Sequence, residues 1–369
     1  MPFAERGGAL RGALDVATGA YPAFLFGGSI AGAVPVFHFH EVSRAWLEPR
    51  LQYLADNHYR TLTADEIARF VIDGVSPGDR AVGLTFDDAW ASVWTVAAPL
   101  LRRFNQRAIV FAIPNRVPDA AAVRPAINPE ESSPIEQHEG PAFATWPELR
   151  AMQESGVADV QSHTRSHAMM FSDPGVVDFV TPDYARESIL NHPVIADVQG
   201  ATLDADALGA PLYVRRSRMS DARRFLHDAA VSDRCRAHVA RNGGRAFFDR
   251  PGWREDLARL AQSSTGQFED GQAGAAVIRQ ELGEGRAMLN EQLKTNTVKH
   301  VALPWGIAGD VARRAVADTG HVTAYAERPL RRRIVRAGDD RHGLMRLNGR
   351  FLTCLPGQSG RQWFFNTVR

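Results

Sequence analysis

The sequence has little cysteine, almost no net charge and no long apolar run, and each shortage excludes a class of protein. Its 369 residues include only Cys235 and Cys354, too few for a disulfide framework or a cysteine-rich zinc module. The formal net charge of +1 gives no overall attraction to nucleic acid or to anionic membranes, so we expect neither partner. With 44% hydrophobic residues, however, the chain is too apolar to be disordered throughout.

An uncharged stretch, residues 21–37, is interrupted by glycines and prolines. It is shorter than the roughly 20 residues of a membrane-spanning helix, so we predict no membrane span. A secretory signal would place positive charge and then an apolar run nearer the start. We therefore interpret residues 1–33 as a lead-in to the first core strand, and we expect a cytoplasmic location.

Strand patterns alternate with helix patterns through most of the chain. Apolar runs predict strands at residues 34–40, 81–86, 108–113, 157–161 and 298–303. Such alternation indicates parallel βα units. Between about residues 171 and 293 the alternation is lost and helix-like segments dominate. We therefore predict an α/β protein, with one barrel-like domain over residues 34–369 and a long, largely helical insertion at about 171–293.

Polar side chains follow four of the predicted strands at the point where each strand ends. These strand-end groups are His38 with His40, Asp87 with Asp88, His163 with His167, and Pro304 with Trp305. The carboxyl ends of parallel strands share one rim, where α/β enzymes build their active sites. We therefore expect these residues, which are far apart in the sequence, to lie close together.

His163 and His167 have the spacing of a metal-binding histidine pair, because residues four apart face the same way on a helical turn. A tight loop also brings such a pair together. Two imidazoles and one carboxylate are a common ligand set for a catalytic zinc-like ion that keeps a position open for water. By itself, a pair of this spacing is more often two surface or core histidines.

Asp87 and Asp88 offer the carboxylates. Two adjacent carboxylates after an apolar strand are costly to bury unless a metal ion or hydrogen bonds compensate them. Neighbouring side chains leave a strand in different directions, so one can bind a metal ion while the other faces the open position. The alternative is a solvated turn in which an aspartate caps the next helix.

These residues carry a resemblance to a known family. Residues 85–88 (TFDD) and 162–167 (SHTRSH) resemble the first two motifs of the polysaccharide deacetylases, the NodB-homology family or carbohydrate esterase family four. Other segments are similar to the family in its usual order: 34–39, 51–63 and 302–306. The resemblance covers roughly residues 34–170 and 275–350. It implies a distorted (β/α) barrel of about seven parallel strands.

The resemblance also implies a reaction, the hydrolytic removal of an N-acetyl group from an N-acetylated sugar. One divalent metal ion, usually zinc in this family, would be held by Asp88, His163 and His167. Asp87 would be the general base that takes a proton from water. Pro304 and Trp305 would line the substrate groove, with the Trp305 backbone N–H helping to bind the oxyanion, and we add His40 to the substrate-binding residues.

The sequence departs from the family pattern at two places. Many members carry a late histidine that acts as general acid, but residues 343–349 (GLMRLNG) contain none. The arginine that usually precedes the third motif is also absent, because Ala302 and Leu303 stand there. Candidates for the proton donor are, in this order, His40, His38 and His342, each with a structural role as its alternative.

The predicted insertion contains a basic segment with Arg215, Arg216 and Arg218. These arginines either form a substrate wall for an anionic sugar, such as a nucleotide-linked or lipid-linked one, or cover a solvated helical face. Four tryptophans either stack on sugars or fill the core: Trp90, Trp94, Trp146 and Trp253.

The function that we predict is metal-dependent de-N-acetylation of an N-acetylated sugar, a biosynthetic intermediate of a glycan or glycoconjugate. Two alternatives stay open. One is a hydrolase of another non-peptide C–N bond in a small cyclic amide. The other is a carbohydrate-binding protein that retains the metal site but has lost turnover, an idea motivated by the missing late histidine.

Overall fold

The computed structural model describes residues 20–30, 32–131, 140–195, 201–262, 266–328 and 331–367. Most of the predicted lead-in, residues 1–19, lies outside the described residues. No helix within the described ranges combines the length and the apolar character needed to cross a membrane.

Strands and helices alternate along most of the chain. In chain order the strands are β1 (Val36–Phe39), β2 (Arg60–Thr61), β3 (Ala81–Asp88), β4 (Ala108–Ala112), β5 (Ala158–Ser162), β6 (Met169–Phe179), β7 (Pro211–Ser217), β8 (Phe225–His227), β9 (Gly266–Phe268), β10 (His300–Ala302), β11 (Thr323–Tyr325) and β12 (Leu347–Asn348). The α-helices are α1 (Arg44–Asp56), α2 (Ala64–Asp73), α3 (Ala98–Arg103), α4 (Trp146–Glu154), α5 (Ala229–Arg241), α6 (Trp253–Ala261), α7 (Gly271–Leu293), α8 (Asp310–Asp318) and α9 (Phe364–Thr367). A π-helical turn, Val93–Ala97, precedes α3, and 3₁₀ turns lie at Ala23–Phe26, Pro114–Arg116, Pro182–Arg186, Ile189–Asn191, Gly244–Asp249, Pro304–Gly306 and Gly349–Cys354.

The described chain divides into two compact units. We call the first the barrel unit; it takes in the described residues of 20–166, 279–308 and 313–367. We call the second the insertion unit; it takes in those of 167–278 and 309–312. That residues 34–369 form one domain with an insertion at about 171–293 stays a prediction.

The barrel unit is built on a curled parallel sheet. Its strand order is β11-β10-β5-β4-β3-β1-β12, with β2 paired to β3 beside that path, and every pairing is parallel. The central strands β3 and β4 are buried at every residue, as expected for parallel strands that are covered on both faces. The predicted distorted barrel of about seven parallel strands is confirmed, in the form of a curled half-barrel.

Local sequence signals explain where the helices of the barrel unit begin. Thr63 and Glu66 form a capping box, in which Thr63 Oγ1 accepts from Glu66 N and the Glu66 carboxylate accepts from Thr63 N. Helix α2 starts directly after Thr63, at Ala64. Thr145 and Glu148 form a second box at the start of α4. These caps hold the helices that cover the sheet.

The insertion unit contains antiparallel strands in addition to the predicted helices. β6 pairs with β7, and β8 pairs with β9. β8 precedes α5, which begins at Ala229, where the Asp228 side chain accepts from Ala230 N. The solvated helical face predicted as one alternative for Arg215, Arg216 and Arg218 is wrong, since Arg215 and Arg216 lie in β7.

Candidate metal centre and active site

The first part of the site is the end of β3. Asp87 and Asp88 are the last two residues of the strand, and only 4% and 3% of their surfaces are exposed. Asp88 and Ala89 then adopt left-handed backbone angles, with φ of 69° and 58°, which are unfavourable for residues other than glycine. The burial excludes the solvated turn, and the sharp backbone turn separates the two carboxylates.

His163 follows β5 directly, and its ring orientation is fixed. Its Nδ1 lies 2.7 Å from the carbonyl oxygen of Ala302, which is brought there because β10 pairs with β5 at Val301 and Ser162. Since a carbonyl can only accept, Nδ1 carries a proton, so in the neutral ring Nε2 is the nitrogen that has the lone pair. Nε2 lies 3.4 Å from Asp88 Oδ1. This is the orientation of a metal-ligating histidine, whose other nitrogen donates to a carbonyl.

The structure brings Asp88, His163 and His167 together. One ligand atom from each residue lies within 4.8 Å of those of the other two, and all three residues are buried. The burial excludes surface histidines as the explanation of the pair. Two imidazoles and a carboxylate are a donor set that suits a zinc-like ion, so the residues present fit such a metal.

The charges around His163 favour its protonated form. Burial lowers the pKa of this imidazole, but the carboxylates of Asp87 and Asp88 outweigh burial and raise the pKa above its usual value. The centre therefore has an excess of negative charge that attracts a positive charge.

Asp87 is held by an arginine that the sequence analysis did not assign to the site. Arg346 donates from Nη1 to Asp87 Oδ1 at 2.6 Å and from Nη2 to Oδ2 at 2.8 Å. The same Nη1 lies 3.0 Å from Thr85 Oγ1. Burial alone would raise the pKa of Asp87, but the guanidinium outweighs it and holds this pKa well below the usual range. Asp87 is therefore ionised at neutral pH.

Arg346 lies in the segment 343–349, which lacks the late histidine of many family members. It directly precedes β12, which pairs with β1 at Leu347 and Phe37. Residues 302–303, where the family usually has an arginine, carry no cation, and Arg346 provides one from the segment just before β12. A single charged residue between Met345 and Leu347, which are apolar, is the sequence signal that could have indicated it.

His38 and His40 form a second polar group with Asp87. One ligand atom of each lies within 4.8 Å of the others, and the two rings meet edge to face with centroids 5.7 Å apart. Both Asp87 oxygens already accept from Arg346, and the guanidinium repels a cation, so this group is poorly suited to a metal. Burial, and then the charge of Arg346, lower the pKa of His38 to about 3. His38 is therefore neutral at pH 7.

His342 lies elsewhere. Its Nε2 lies 3.2 Å from the carbonyl oxygen of His321, which is two residues before β11 and therefore at the amino end of that strand, whereas Asp88 and His163 lie at the carboxyl ends of theirs. Of the three candidates for the proton donor, the structure places His40 and His38 near Asp87 but not His342.

Pro304 and Trp305 form a strained turn directly after β10. Trp305 has φ 55° and Gly306 has φ 71°, and the Gly306 carbonyl accepts from Glu327 N at 2.7 Å. Pro304 is buried and Trp305 is half-buried. The turn begins two residues after Ala302, whose carbonyl contacts His163, so it lies at the same strand end as that ring.

Trp90 contacts the candidate metal centre through its indole N–H. Nε1 donates to Asp88 Oδ2 at 2.9 Å. One face of the Trp90 ring stacks on Phe143, with centroids 4.6 Å apart and an interplanar angle of 19°. Trp90 therefore has a role that neither predicted alternative, sugar stacking or core packing, includes: it orients the Asp88 carboxylate.

Within the insertion unit, two of the predicted cationic donors are paired with carboxylates. Arg215 Nη1 lies 3.0 Å from Glu187 Oε2, and Arg218 contacts both oxygens of Glu269. Only 5% of the Arg218 surface is exposed. These two side chains are neutralised within the unit, which weakens the argument for an anionic substrate.

The fold is a curled parallel α/β half-barrel. At its strand ends, a buried group of two histidines and one aspartate lies beside an ionised carboxylate. These are the groups of a hydrolase, and together with the fold they define the class of this protein. Residues 74–196 match the family described as "Polysaccharide deacetylase". This range contains Asp87, Asp88, His163 and His167. The resemblance to the polysaccharide deacetylases that the motifs carry is therefore confirmed over residues 74–196.

Two curated proteins and one solved structure illustrate the similarity. The chain is 27% identical over 88 residues to YxkH of Bacillus subtilis, a protein named as a polysaccharide deacetylase. It is 25% identical over 199 residues to the poly-β-1,6-N-acetyl-D-glucosamine N-deacetylase of Escherichia coli K12. These matches cover 22% and 54% of this chain but only 32% and 24% of the two relatives. The fold is similar to the BpsB deacetylase domain of Bordetella bronchiseptica, with a TM-score of 0.53, 18% identity and coverage of 87% of this chain and 97% of that one.

Proposed function

We propose that this protein is a metal-dependent carbohydrate de-N-acetylase, which hydrolyses the N-acetyl group of an N-acetylated sugar. The observation that carries the proposal is the buried group of Asp88, His163 and His167 next to Asp87, which Arg346 keeps ionised. The similarity to an Escherichia coli N-deacetylase supports the same reaction class. Zinc is the metal that we expect, and a biosynthetic intermediate inside the cell is the substrate that we expect.

Asp88, His163 and His167 would hold the metal ion. When bound, a divalent ion supplies Lewis-acid polarisation of the amide carbonyl and a water molecule of lowered pKa. The carboxylate of Asp87 takes a proton from the attacking water, and the Trp305 backbone N–H binds the developing oxyanion. Arg346 does not touch the substrate in this scheme; it keeps Asp87 charged and fixes the orientation of its two oxygens.

His40 donates a proton to the departing amine. It is the exposed member of the group with His38 and Asp87, so it is accessible to a substrate that lies over the strand ends. His38 contacts the same group but is less exposed, which leaves His40 as the better-placed donor. This assignment provides the general acid that the late segment of the chain lacks.

An acetate-release assay tests the proposal. The panel comprises free, nucleotide-linked and lipid-linked N-acetylhexosamines and β-1,6-linked N-acetylglucosamine oligomers, each with and without a chelator and after addition of Zn²⁺. We expect release from at least one class, loss of release with chelator and recovery with metal. Release from small cyclic amides alone would identify the alternative hydrolase. Stoichiometric metal and sugar binding without acetate would identify the binding protein.

A further inference from the structure

Helix α7 packs directly against the loop that carries the two histidines. A Cβ atom on Gly285 would lie 2.7 Å from Arg165 N and 2.8 Å from Thr164 C, closer than side-chain carbons approach backbone atoms. Only glycine permits this contact, so the helix and the loop backbone touch. The Arg165 backbone N–H also donates to the Glu281 carbonyl oxygen at 2.9 Å. The loop is therefore bonded to α7 through its main chain.

Glu281 adds a buried side chain to this contact. Its carboxylate accepts from Ser166 N at 2.9 Å and from Ser166 Oγ at 2.8 Å, and 3% of its surface is exposed. Arg165 Nε lies 3.4 Å from Oε1. A buried charge is costly unless hydrogen bonds and an opposite charge compensate it, and these contacts supply both. Neither the family resemblance nor the motif spacing assigns a role to Glu281.

The loop needs such support because its backbone is strained. Thr164 and His167 have φ of 65° and 56°, which are unfavourable backbone angles for residues other than glycine. Ser166 lies between the two, directly before His167 in the chain. Fixing Ser166 therefore restricts the positions that the second histidine can take, while the first is held separately by the Ala302 carbonyl.

We propose that Glu281 is a positioning residue for the metal centre, which acts by holding Ser166 and thereby fixes the separation of His163 and His167. This inference rests on the proposed function, because it takes the two histidines as metal ligands. Partners of ligating residues typically contribute about 10- to 100-fold to metal affinity. Replacement of Glu281 by the isosteric glutamine removes the charge and one of the two acceptor oxygens facing Ser166 and Arg165.

Metal titration of the purified full chain tests the inference. The apoprotein is titrated with Co²⁺, followed by its absorption bands, and with Zn²⁺ against a chromogenic chelator. We expect Glu281→Gln to bind both metals about 10- to 100-fold more weakly, with altered Co²⁺ bands, while the unfolding midpoint of the apoprotein changes little. Ser166→Ala should show a smaller loss of affinity, because the Ser166 backbone bond to Glu281 remains.

Glu284→Gln is the matched control. Glu284 lies one helical turn further along α7 and also pairs with Arg165, but its side chain is 46% exposed and it contacts the loop through the guanidinium alone. Its replacement should leave metal affinity within about twofold of the parent. Equal weakening by Glu284→Gln, or parental affinity in Glu281→Gln, overturns the inference. If Glu281→Gln does not fold, parental affinity in Ser166→Ala overturns it.

The inference and the proposed function fail in different ways. A parent protein that binds metal but releases no acetate contradicts the proposed function and leaves the role of Glu281 supported if the affinity ranking holds. A parent protein that binds neither Co²⁺ nor Zn²⁺ contradicts both.

Discussion

Two buried histidine rings each face a carboxylate, one at the carboxyl edge of the sheet, where its strands end, and one at the amino edge, where they begin. Only one of the two contacts has the features of a reactive site. At the carboxyl edge, His163 Nε2 faces Asp88 Oδ1 at 3.4 Å. At the amino edge, His300 Nε2 lies 3.0 Å from Asp65 Oδ1, and its Nδ1 lies 2.7 Å from Thr323 Oγ1. Each ring is almost completely buried. A buried imidazole beside a carboxylate is therefore not sufficient to identify the centre.

Two properties separate the edges. The first is the number of donors, because the carboxyl edge gathers a second imidazole and a second carboxylate around His163, whereas Thr323 and Asp65 occupy both nitrogens of His300. The second is backbone strain. Non-glycine residues with positive φ cluster in the strand-end turns of the carboxyl edge: Asp88, Ala89, Thr164, His167 and Trp305. Strained backbone angles are typical of sites where function requires a fixed geometry, and neither His300 nor Asp65 has a positive φ.

The strongest test of the difference between the two edges removes one histidine ring from each of them. His163→Ala should abolish stoichiometric metal binding and reduce acetate release to the level of chelator-treated protein, because one of three protein ligands is lost. His300→Ala should keep both properties and lose only folding stability. Metal content and acetate release measured on both purified variants decide this. If His300→Ala also lost its metal, the distinction between the two edges would be wrong.

A carboxylate pair extends the same test. Asp87→Asn removes the base but leaves Asp88, His163 and His167 in place, so turnover should fall by about 10²- to 10⁴-fold while metal content stays at that of the parent. Asp65→Asn, at the amino edge, should leave turnover unchanged. Full activity in Asp87→Asn would contradict the assignment of the base.

The strand ends of the carboxyl edge could be predicted from the sequence because their signals are local. The apolar strand before Asp87 and the histidine spacing after Ser162 each fit within a few residues, and parallel topology then brings them to one rim. Arg346 could not be predicted in this way, since 259 residues separate it from Asp87 and no motif surrounds it. Glu281 was missed for the same reason, as its partner Ser166 is 115 residues away.

The insertion unit shows a different limit. β6 and β7 pair across a long segment, and their register shifts between Phe171 and Val176. The sequence at that point contains Pro174 and Gly175, which are typical of turns, so the alternation that marks a regular strand is interrupted. Antiparallel pairing of two irregular strands has no local signal strong enough to predict it.

Arg346 provides a test of intermediate size. Arg346→Met removes the guanidinium from a buried carboxylate, and loss of one partner of such a pair typically costs about 3–5 kcal/mol of the free energy of unfolding. Turnover should fall, and Arg346→Lys should restore only part of it, because an ammonium cannot bond both Asp87 oxygens in the same plane. Urea denaturation and acetate release measure the two effects. Parental turnover in Arg346→Met would show that Asp87 needs no fixed partner.

The smallest effect belongs to Asp65 at the amino edge. Its hydrogen bond with His300 is the main cause that lowers the pKa of Asp65 to about 2. Since the pKa of an unfolded aspartate is about 3.9, the stabilisation is complete above that value and is lost as the pH falls from about 4 to 2. The Asp65 side chain is 54% exposed, so the contribution should be below about 1 kcal/mol.

Urea denaturation of the parent and of Asp65→Asn at several pH values between 7 and 2 measures this contribution. The two stabilities should differ by a constant amount above about pH 4 and converge towards pH 2. Asp73→Asn, an exposed aspartate of the same helix α2, is the control and should track the parent throughout. A difference in stability that grew on acidification would mean that the folded state favours protonated Asp65. The amino-edge contact would then not be the ordinary structural contact with which the candidate metal centre is compared.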